Sequence, residues 1–382
     1  MAKPVERRRS PATVIVPQRH GSQVDQPDRD VPPSCEREWH LMGNLRGTSR
    51  GLAGAPLLVL MLAVSACVAS PGASAPASTT EPGLPSSVQS APLSAAPSPA
   101  AFPLTLTDDA GRTVVLDASP GRIISLAPSN TEIVCALDAC DRLVGVTDFD
   151  DYPAEVVDLP KIVLQTQVDL ELLVAAEPDL ALAAGNELTP SSVIAQIEDL
   201  GVPVIVLYPE SLEEIYTDIE MVAGVLDQGA RADSLIDDMR GGVAAVEAAV
   251  EGSDKPRTLY EVFHSEGTTY TAGEGSFLAS LLELAGATPV TGDAEGVMEA
   301  EDLVAEDPQL ILLGTASYDP SMATSAAALA VVAARPGWSD LSAVRDANVV
   351  PYLDDIVTTR PGPRIVEGLE ALARAIHPDR FD

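Results

Sequence analysis

The sequence predicts an α/β protein of two lobes joined by a single long helix. Three observations lead to this prediction. A proline-free stretch near the middle of the chain has the apolar spacing of helices, a helix–turn–strand unit occurs once on each side of it, and strand and helix patterns alternate through both flanking segments.

The central stretch runs from Ser211 to Val250 and predicts two consecutive helices. Ser211 and Glu214 form the S-x-x-E pattern that is typical of a helix start. Apolar residues recur at helical spacing up to a break at residues 227–229, and a second run then continues to Val250. A second helix of about 20 residues would be roughly 30 Å long, about the width of a small domain. The alternative is an ordinary pair of core helices.

The segments on either side of this stretch are similar to each other. Residues 170–183 (LELLVAAEPDLALA) and 300–313 (AEDLVAEDPQLILL) align without gaps. Identical pairs include Glu171/Glu301, Leu173/Leu303, Val174/Val304, Ala175/Ala305, Pro178/Pro308 and Leu180/Leu310. Each segment predicts a short amphipathic helix, a proline-containing turn and a buried strand. Such units are common enough to agree by chance, but their position around a long helix favours two similar lobes with a matched glutamate on each.

The composition predicts a largely globular chain and argues against nucleic-acid binding. Of the 382 residues, 46% are hydrophobic and 21% charged, which suits one large or two medium domains. The net charge is −34, and three lysines occur, Lys3, Lys161 and Lys255. A chain of this kind has no basic face for phosphate groups.

Residues 1–101 predict an export signal and a tether. Residues 42–66 combine a basic start, an apolar run and small residues, which is the order of a secretory signal. The run, about 16 residues long, is short for a membrane span. Residues 67–101 are rich in Ala, Ser and Pro and predict a disordered tether, and residues 1–41 also predict disorder. We expect translation to start at Met42, so that residues 1–41 are not made.

The end of the apolar run carries a second signal. Val64-Ser65-Ala66-Cys67 resembles the bacterial lipobox, in which the cysteine is lipidated and becomes the first mature residue. We therefore expect export and a lipid anchor at Cys67 on the outer face of the cell membrane. A cleaved signal without a lipid and a simple anchor helix are the alternatives.

Residues 102–226 form the predicted first lobe. Alternating strands around residues 108–111 predict a β-hairpin. A buried strand at residues 123–126 precedes Ser129 and Glu132, whose spacing predicts another capping box at a helix N-terminus facing the crevice of a sheet. A strand at residues 143–146 then leads into a polar loop that carries Phe149 and Tyr152. The remaining predicted elements are helices at 169–176 and near 190–199 and strands at 180–183 and 203–207.

Residues 227–254 form the predicted inter-lobe helix, and residues 255–382 form the predicted second lobe. The predicted elements of this lobe are strands at 257–263, 310–313 and 349–353, and helices at 277–284, from Glu301, at 324–334 and up to about 376. Alternation of strands and helices in both lobes predicts Rossmann-like, mainly parallel sheets.

The motifs of several enzyme classes are absent from the sequence. It contains no GxSxG, HExxH, P-loop or CxxC motif, and Ser276, after a glycine-rich turn, indicates a helix cap. Two histidines follow the signal, His264 and His377, which are too few for a typical zinc or manganese site. We therefore predict no enzyme activity, no resident cofactor and no metal site. His264 is either a ligand contact or an ordinary loop residue, and His377 is expected to be solvated or to cap a helix.

Two further cysteines, Cys135 and Cys140, follow the signal. Export to an oxidising space favours a disulfide between them, whereas two buried free thiols are the alternative. The sequence leaves the choice open because Cys135 lies in a predicted helix and Cys140 just past its end.

Three segments of the sequence resemble a known family. SLAPSNTEIVCALDACDRLVGVTDFDDYPAEV, LELLVAAEPDLALA and RPGPRIVEGLEALARAIHP are similar to the helical-backbone substrate-binding proteins of ABC importers, in particular the vitamin B12-type receptors. The resemblance covers residues 122–378. It implies the class III periplasmic-binding-protein fold, a monomer with a small-molecule ligand between the lobes, and delivery to a permease and its ATPase. It also implies that Glu171 and Glu301 dock on permease arginines.

The resemblance implies ligand contacts as well. The implied residues are Ser129, Asn130, Phe149, Phe263, His264, Tyr270, Asp355 and Arg360. One departure concerns the segment before Glu171, which often offers a tryptophan to the corrin in this family and here reads Leu164-Gln165-Thr166-Gln167.

The sequence therefore predicts a lipid-anchored receptor for a cobalamin-like ligand. The alternative ligands are ferric siderophores and heme, other metal chelates bound by the same fold. An anionic siderophore would require convergent arginines, for which Arg360 and Arg364 are the candidates. A surface α/β enzyme and a sensory module are the alternatives from other classes.

Overall fold

The computed structural model describes residues 102–186, 189–354 and 358–381. The predicted signal, the tether, Cys67 and Asp355 lie outside these residues. Within the described part of the chain, no helix is both long enough and apolar enough to span a membrane.

The first lobe contains eight of the described strands and three short helices before the central pair. Its elements are β1 (Leu104–Thr107), β2 (Thr113–Leu116), β3 (Ile123–Ser125), α1 (Pro128–Ala136), β4 (Leu143–Thr147), β5 (Lys161–Leu164), β6 (Gln167–Val168), α2 (Leu170–Ala175), β7 (Leu180–Ala183), α3 (Ser191–Asp199) and β8 (Val204–Val206). The central pair consists of α4 (Leu212–Leu226) and α5 (Gly229–Val250).

The second lobe follows α5 directly. Its elements are β9 (Arg257–Glu261), β10 (Phe263–Ser265), β11 (Thr268–Tyr270), α6 (Phe277–Leu284), β12 (Thr288–Pro289), β13 (Val297–Met298), α7 (Ala300–Glu306), β14 (Leu310–Leu313), α8 (Ser325–Ala333), α9 (Ser342–Arg345), β15 (Val349–Pro351) and α10 (Ile365–Ile376).

The two main sheets share one strand order. The first is β6-β5-β4-β3-β7-β8, in which all pairs except β5–β6 are parallel. The second is β12-β9-β14-β15 and is parallel throughout. Aligning β9 with β3 and β14 with β7 gives the same order, β4-β3-β7-β8, in the first lobe. The predicted fold of two similar α/β lobes joined by a long helix is therefore confirmed.

The two repeated segments also share the geometry of the turn between helix and strand. Glu177 and Asp307, at matched positions before the prolines, both have a positive φ, of 46° and 42°. Arg122, at the start of the first lobe's first parallel strand, donates to the carbonyl oxygens of Ala176 and Glu177 at 2.6 and 2.9 Å. Arg257 at the start of β9 repeats this contact with two carbonyl groups. Its acceptors are Glu306 at 3.1 Å and Asp307 at 2.8 Å.

These guanidinium groups lie at the C-terminal ends of α2 and α7. They satisfy carbonyl groups that have no partner within the helix and they complement its dipole. Each arginine therefore fixes the end of a short helix to the N-terminal end of an interior strand of its own sheet.

The central helices connect the lobes. Ser211 accepts a hydrogen bond from the backbone N–H of Glu214 at 3.2 Å, which begins α4 at the predicted position. Asp227, with a φ of 59°, ends α4, and α5 then continues for 22 residues, a length of about 33 Å. Because α5 packs on both α4 and α10, one buried apolar cluster continues from the first lobe into the second.

Three sequence predictions differ from the structure. Ser129 and Glu132 do not form a capping box, because the helix already begins at Pro128, and its N-cap, Ala127, has no side-chain acceptor. The strand predicted over 257–263 is divided in two after Glu261. For His377 the capping role is confirmed, since it is the C-cap residue of α10, but the solvated side chain is wrong: its ring is buried and its Nε2 lies 3.0 Å from the carbonyl oxygen of Gly286.

Candidate functional site

A cleft of about 600 Å³ lies between the lobes near the carboxyl ends of their parallel strands. It is lined by residues 127–129, Ala184, Asn186 and residues 207–210 from the first lobe, and by residues 275–278 and 358–361 from the second. The carboxyl edge of an open α/β sheet is the usual place for a ligand. Of the predicted ligand contacts, Ser129 and Arg360 line this cleft.

Along one wall of the cleft, a cluster of polar side chains links the two lobes. Arg360, in the second lobe, donates to Asp151 at 2.6 Å and to the carbonyl oxygen of Phe149 at 3.0 Å, both in the first. Its Nη1 also lies 3.4 Å from Oε1 of Glu132 on α1. Arg364 approaches the same carboxylate oxygen at 3.6 Å and stacks on Tyr152, with 4.2 Å between the guanidinium carbon and the ring centroid. We call Glu132, Asp151, Arg360 and Arg364 the cross-cleft cluster.

Glu132 is the buried centre of this cluster. Its side chain is 2% exposed, and burial raises the pKa of its carboxyl group, which the positive charges of Arg364 and Arg360 offset only in part. Gly362 allows the close approach of the two lobes, since a Cβ atom at this position would lie 3.3 Å from the backbone oxygen of Ser129. A larger residue at position 362 would therefore push this segment away from α1.

A buried amide lies two residues before Glu132 on α1. Asn130 is 1% exposed, and its Nδ2 has no hydrogen-bond partner among the described residues. The same holds for Oε2 of Glu132. Unsatisfied buried donors and acceptors are costly, so they indicate polar groups that are available to a partner.

Phe149 is held in place by the loop that carries it. Asp150 is buried and accepts hydrogen bonds from the backbone N–H and the hydroxyl of Thr147, at 2.8 and 2.6 Å. The same hydroxyl accepts from the N–H of Phe149 at 3.1 Å. The Phe149 ring is 46% exposed although its backbone is fixed, which suits a ligand contact.

Exposed aromatic rings follow strand ends in both lobes. Among the described residues, the large exposed aromatic side chains are Phe149, Tyr152, Tyr208 and Tyr318. Phe149 and Tyr152 follow β4, Tyr208 follows β8, and Tyr318 follows β14, so each comes within a few residues of a strand's carboxyl end. Of these four side chains, Tyr208 lines the cleft, and the other three lie outside its lining.

Tyr208 is anchored by a pair of carboxyl groups. Asp109, in the β1–β2 hairpin, accepts from the N–H of Tyr208 at 2.6 Å. Asp218 on α4 is fully buried beside Asp109, and burial raises the pKa of Asp218 to about 8, with the negative charge and hydrogen bond of Asp109 adding to the shift. At neutral pH the buried carboxyl group of Asp218 is therefore protonated.

Three of the predicted contacts of the second lobe, Phe263, His264 and Tyr270, lie away from the cleft. Phe263 and Tyr270 pair on the small sheet β10-β11-β13, with 6.2 Å between ring centroids. The Nδ1 of His264 lies 3.0 Å from the hydroxyl of Thr269, and its ring contacts the edge of Trp338. None of the three lines the described cleft, and the partners of His264 favour the ordinary structural role among the two that the sequence left open.

A buried ion pair lies at the end of β9, beside His264. Glu261 at the end of β9 is fully buried and pairs with both terminal nitrogens of Arg335. It also accepts from Thr315 at 2.8 Å, while Arg335 stacks on Trp338. This packing, together with the charge of Arg335, lowers the pKa of His264, because burial and a nearby cation both disfavour the imidazolium.

Glu171 and Glu301 occupy equivalent places on the two lobes. They lie in the first turns of α2 and α7, and both side chains are exposed. Within the described ranges neither carboxylate forms an ion pair. Leu173 and Leu303 are fully buried and attach the helices to their lobes.

The structure joins Cys135 and Cys140 in a disulfide, with 4.3 Å between their Cα atoms. The bond closes the turn after α1, whose N-terminal half carries Ser129, Asn130 and Glu132. Of the two states that the sequence left open, the structure contains the oxidised one.

Some of these residues were not identified from the sequence. The sequence predicts a cap at Glu132 and indicates no functional role for Asp151, Tyr208 or Asp218. The exposed tyrosine directly after the predicted strand at 203–207 was a usable signal. The pairing of Glu132 with Arg360 was not, because 228 residues separate them along the chain.

Comparison with known proteins identifies related chains. Residues 123–355 match the family described as periplasmic binding protein. The chain is 32% identical over 286 residues to the uncharacterized ABC transporter substrate-binding lipoprotein YvrC of Bacillus subtilis, covering 73% of this chain and 87% of that protein. It is 27% identical over 290 residues to the cobalamin-binding protein of Halobacterium salinarum, covering 72% and 74%.

A solved structure shows the same fold. The periplasmic heme-binding protein BhuT in complex with two hemes has a TM-score of 0.59 to this chain at 27% identity, covering 68% of this chain and 99% of BhuT. The matched proteins are transport receptors, which confirms the prediction that the chain is not an enzyme. The family match over more than half of the sequence, together with the shared two-lobed architecture, shows that the chain belongs to the periplasmic binding proteins, as a solute-binding protein of an ABC importer.

Proposed function

We propose that this solute-binding protein receives a cobalamin-like ligand and delivers it to the permease and ATPase of its importer. The observation that carries the proposal is the group of exposed aromatic rings at the strand ends of both lobes. Aromatic side chains contact flat or bulky apolar surfaces through their faces and edges, which suits a corrin ring.

The charges of the cleft favour a ligand without strong negative charge. Arg360 lines the cleft and Arg364 lies beside it in the cross-cleft cluster, but Glu132 and Asp151 already pair with them. An anionic siderophore or the carboxylates of heme would have to compete with these two carboxylates for the same guanidinium groups. A corrin chelate whose side chains are amides avoids this competition and supplies groups that hydrogen-bond to Ser129 and Asn130.

Capture uses a largely preformed cleft. The long α5 helix and the apolar cluster that continues from lobe to lobe restrict the lobes to small relative movements. The cross-cleft cluster adds a polar contact between the walls. Ligand binding then carries little free-energy cost for rearranging the lobes.

We further propose that the receptor is a monomer anchored outside the cell membrane through a lipid on Cys67. It docks on the permease through Glu171 and Glu301. Replacing either glutamate with arginine should abolish uptake and leave ligand affinity intact, since both side chains lie outside the cleft. Loss of ligand binding by the purified variants would contradict the docking role.

Isothermal titration calorimetry tests the ligand. The purified chain is titrated with cyanocobalamin, heme and a ferric hydroxamate in parallel. One-to-one binding of cyanocobalamin that is tighter than binding of either iron compound is expected. Selective binding of an iron compound would keep the receptor function and refute the cobalamin assignment.

A further inference from the structure

The two docking helices present a second matched pair beside their glutamates. Val174 and Val304 lie three residues after Glu171 and Glu301, so each valine shares a helix face with its glutamate. Val174 is 49% exposed and Val304 is 47% exposed, whereas the leucine before each valine is fully buried. The cores of the lobes thus require the leucines but leave both valines half in water.

In the first lobe, this face opens into a groove of about 540 Å³ between α2 and α3. It is lined by Leu170, Glu171, Val174, Gln196, Asp199 and Leu200. Its floor is apolar and includes Leu200, which is 48% exposed, and its charged groups are both carboxylates. Among the described residues, neither of these carboxylates forms an ion pair.

An arginine side chain fits a surface of this kind. Its aliphatic stem packs on apolar residues while its planar guanidinium group pairs with carboxylates, in many cases with two hydrogen bonds. The combination of an exposed valine and an unpaired glutamate therefore offers complementary contacts to both parts of one arginine.

We propose that Val174 and Val304 form the apolar half of each docking contact. On each lobe the stem of one permease arginine packs on the valine while its guanidinium group pairs with the neighbouring glutamate. In the first lobe Leu200 extends the apolar floor and Asp199 supplies a second carboxylate, so this lobe makes the larger contact. The inference rests on the proposed docking role of Glu171 and Glu301 and adds the residues that bind the arginine stem.

The test measures binding of the full-length chain to the purified permease–ATPase complex of its importer in lipid nanodiscs, by biolayer interferometry. Val174→Lys and Val304→Lys should each weaken binding by at least about tenfold, because they place a cation against the arginine. Val174→Ile, which keeps an apolar surface, should bind like the wild type. The matched control is Val115→Lys on β2, where the side chain is 54% exposed and outside the groove, and it should also retain binding.

Glu171→Arg and Glu301→Arg separate this inference from the docking role itself. If they abolish binding while both valine-to-lysine variants bind like Val115→Lys, the valine contact is wrong and the docking role stands. If the glutamate variants also bind normally, both proposals fail. Loss of binding in the valine and glutamate variants, with wild-type binding by Val174→Ile and Val115→Lys, supports both.

Discussion

Removing both arginines of the cross-cleft cluster should destabilise the protein through a single buried charge. The perturbation is the double substitution Arg360→Met/Arg364→Met, which keeps much of the apolar stem of each side chain. It leaves Glu132, whose side chain is 2% exposed, without either of the guanidinium groups at 3.4 and 3.6 Å. Asp151 and Glu367 lose their partners as well, but their side chains are 60% and 63% exposed and water replaces these contacts at little cost.

The expected loss follows from the burial of Glu132. Removing the partners of a buried ion pair typically costs about 3–5 kcal/mol, because the remaining charge is neither solvated nor paired. Adding Glu132→Gln removes that charge. The triple variant should therefore recover most of the stability that the double variant loses, although it has one more substitution.

The assay is urea unfolding of wild-type, double and triple variants at pH 5 and pH 8, followed by circular dichroism and tryptophan fluorescence together. Burial already raises the pKa of Glu132, and loss of the cations raises it further. A carboxyl group whose folded-state pKa is raised stabilises the fold while protonated and loses that contribution as the pH rises through the folded-state pKa. The double variant should therefore lose more stability, relative to the wild type, at pH 8 than at pH 5.

Equal losses in the double and triple variants, or losses independent of pH, would refute this reasoning. They would mean that the arginines act through packing of their stems and not through the charge of Glu132.

Three further predictions concern other parts of the molecule. The buried carboxyl group of Asp218 binds its proton more tightly in the folded state, so the wild type should lose stability between about pH 4 and pH 8, by at most about 1.4 kcal/mol per pH unit. Asp218→Asn should abolish this fall. Chemical unfolding across the pH range measures it, and an unchanged slope in the variant would contradict the prediction. Arg257→Met should lower stability by about 1–2 kcal/mol and weaken permease docking more than ligand binding, since Arg257 holds the C-terminal end of α7. Calorimetry measures ligand binding and interferometry measures permease binding. An equal loss of both would count against this prediction. Cys67→Ser should abolish metabolic labelling with palmitate and release the protein from membranes, whereas Cys135→Ser should leave labelling intact.

Much of the fold could be predicted from local patterns and one internal repeat. The helix that begins after Ser211 is specified by its capping residue and apolar spacing, and the structure begins it there. The repeated segments at 170–183 and 300–313 predict equivalent helices and strands, which the structure contains in equivalent sheet positions. These features depend on residues that lie close together in the chain.

The remaining features depend on contacts between distant residues. Arg122 and Arg257 hold the C-terminal ends of α2 and α7 from strands that precede them by about 50 residues in the chain, and no local pattern marks them. His377 lies near the C-terminus, where exposure is the usual expectation, yet it packs beneath Gly286. Glu132 has the spacing of a capping residue, and only the fold shows that it faces two arginines from the other lobe instead.

The most direct test is whether cyanocobalamin binds to the exposed aromatic side chains that follow the strand ends. Calorimetric titration compares the wild type with Phe149→Ala/Tyr208→Ala and with a control, Val115→Ala, whose exposed side chain lies outside the cleft. We expect one site in the wild type and the control, and at least about tenfold weaker binding in the aromatic variant, since stacking on one aromatic side chain contributes about 0.5–1.5 kcal/mol beyond the apolar area that it buries. Equal affinity in all three proteins would place the ligand elsewhere and contradict the central claim.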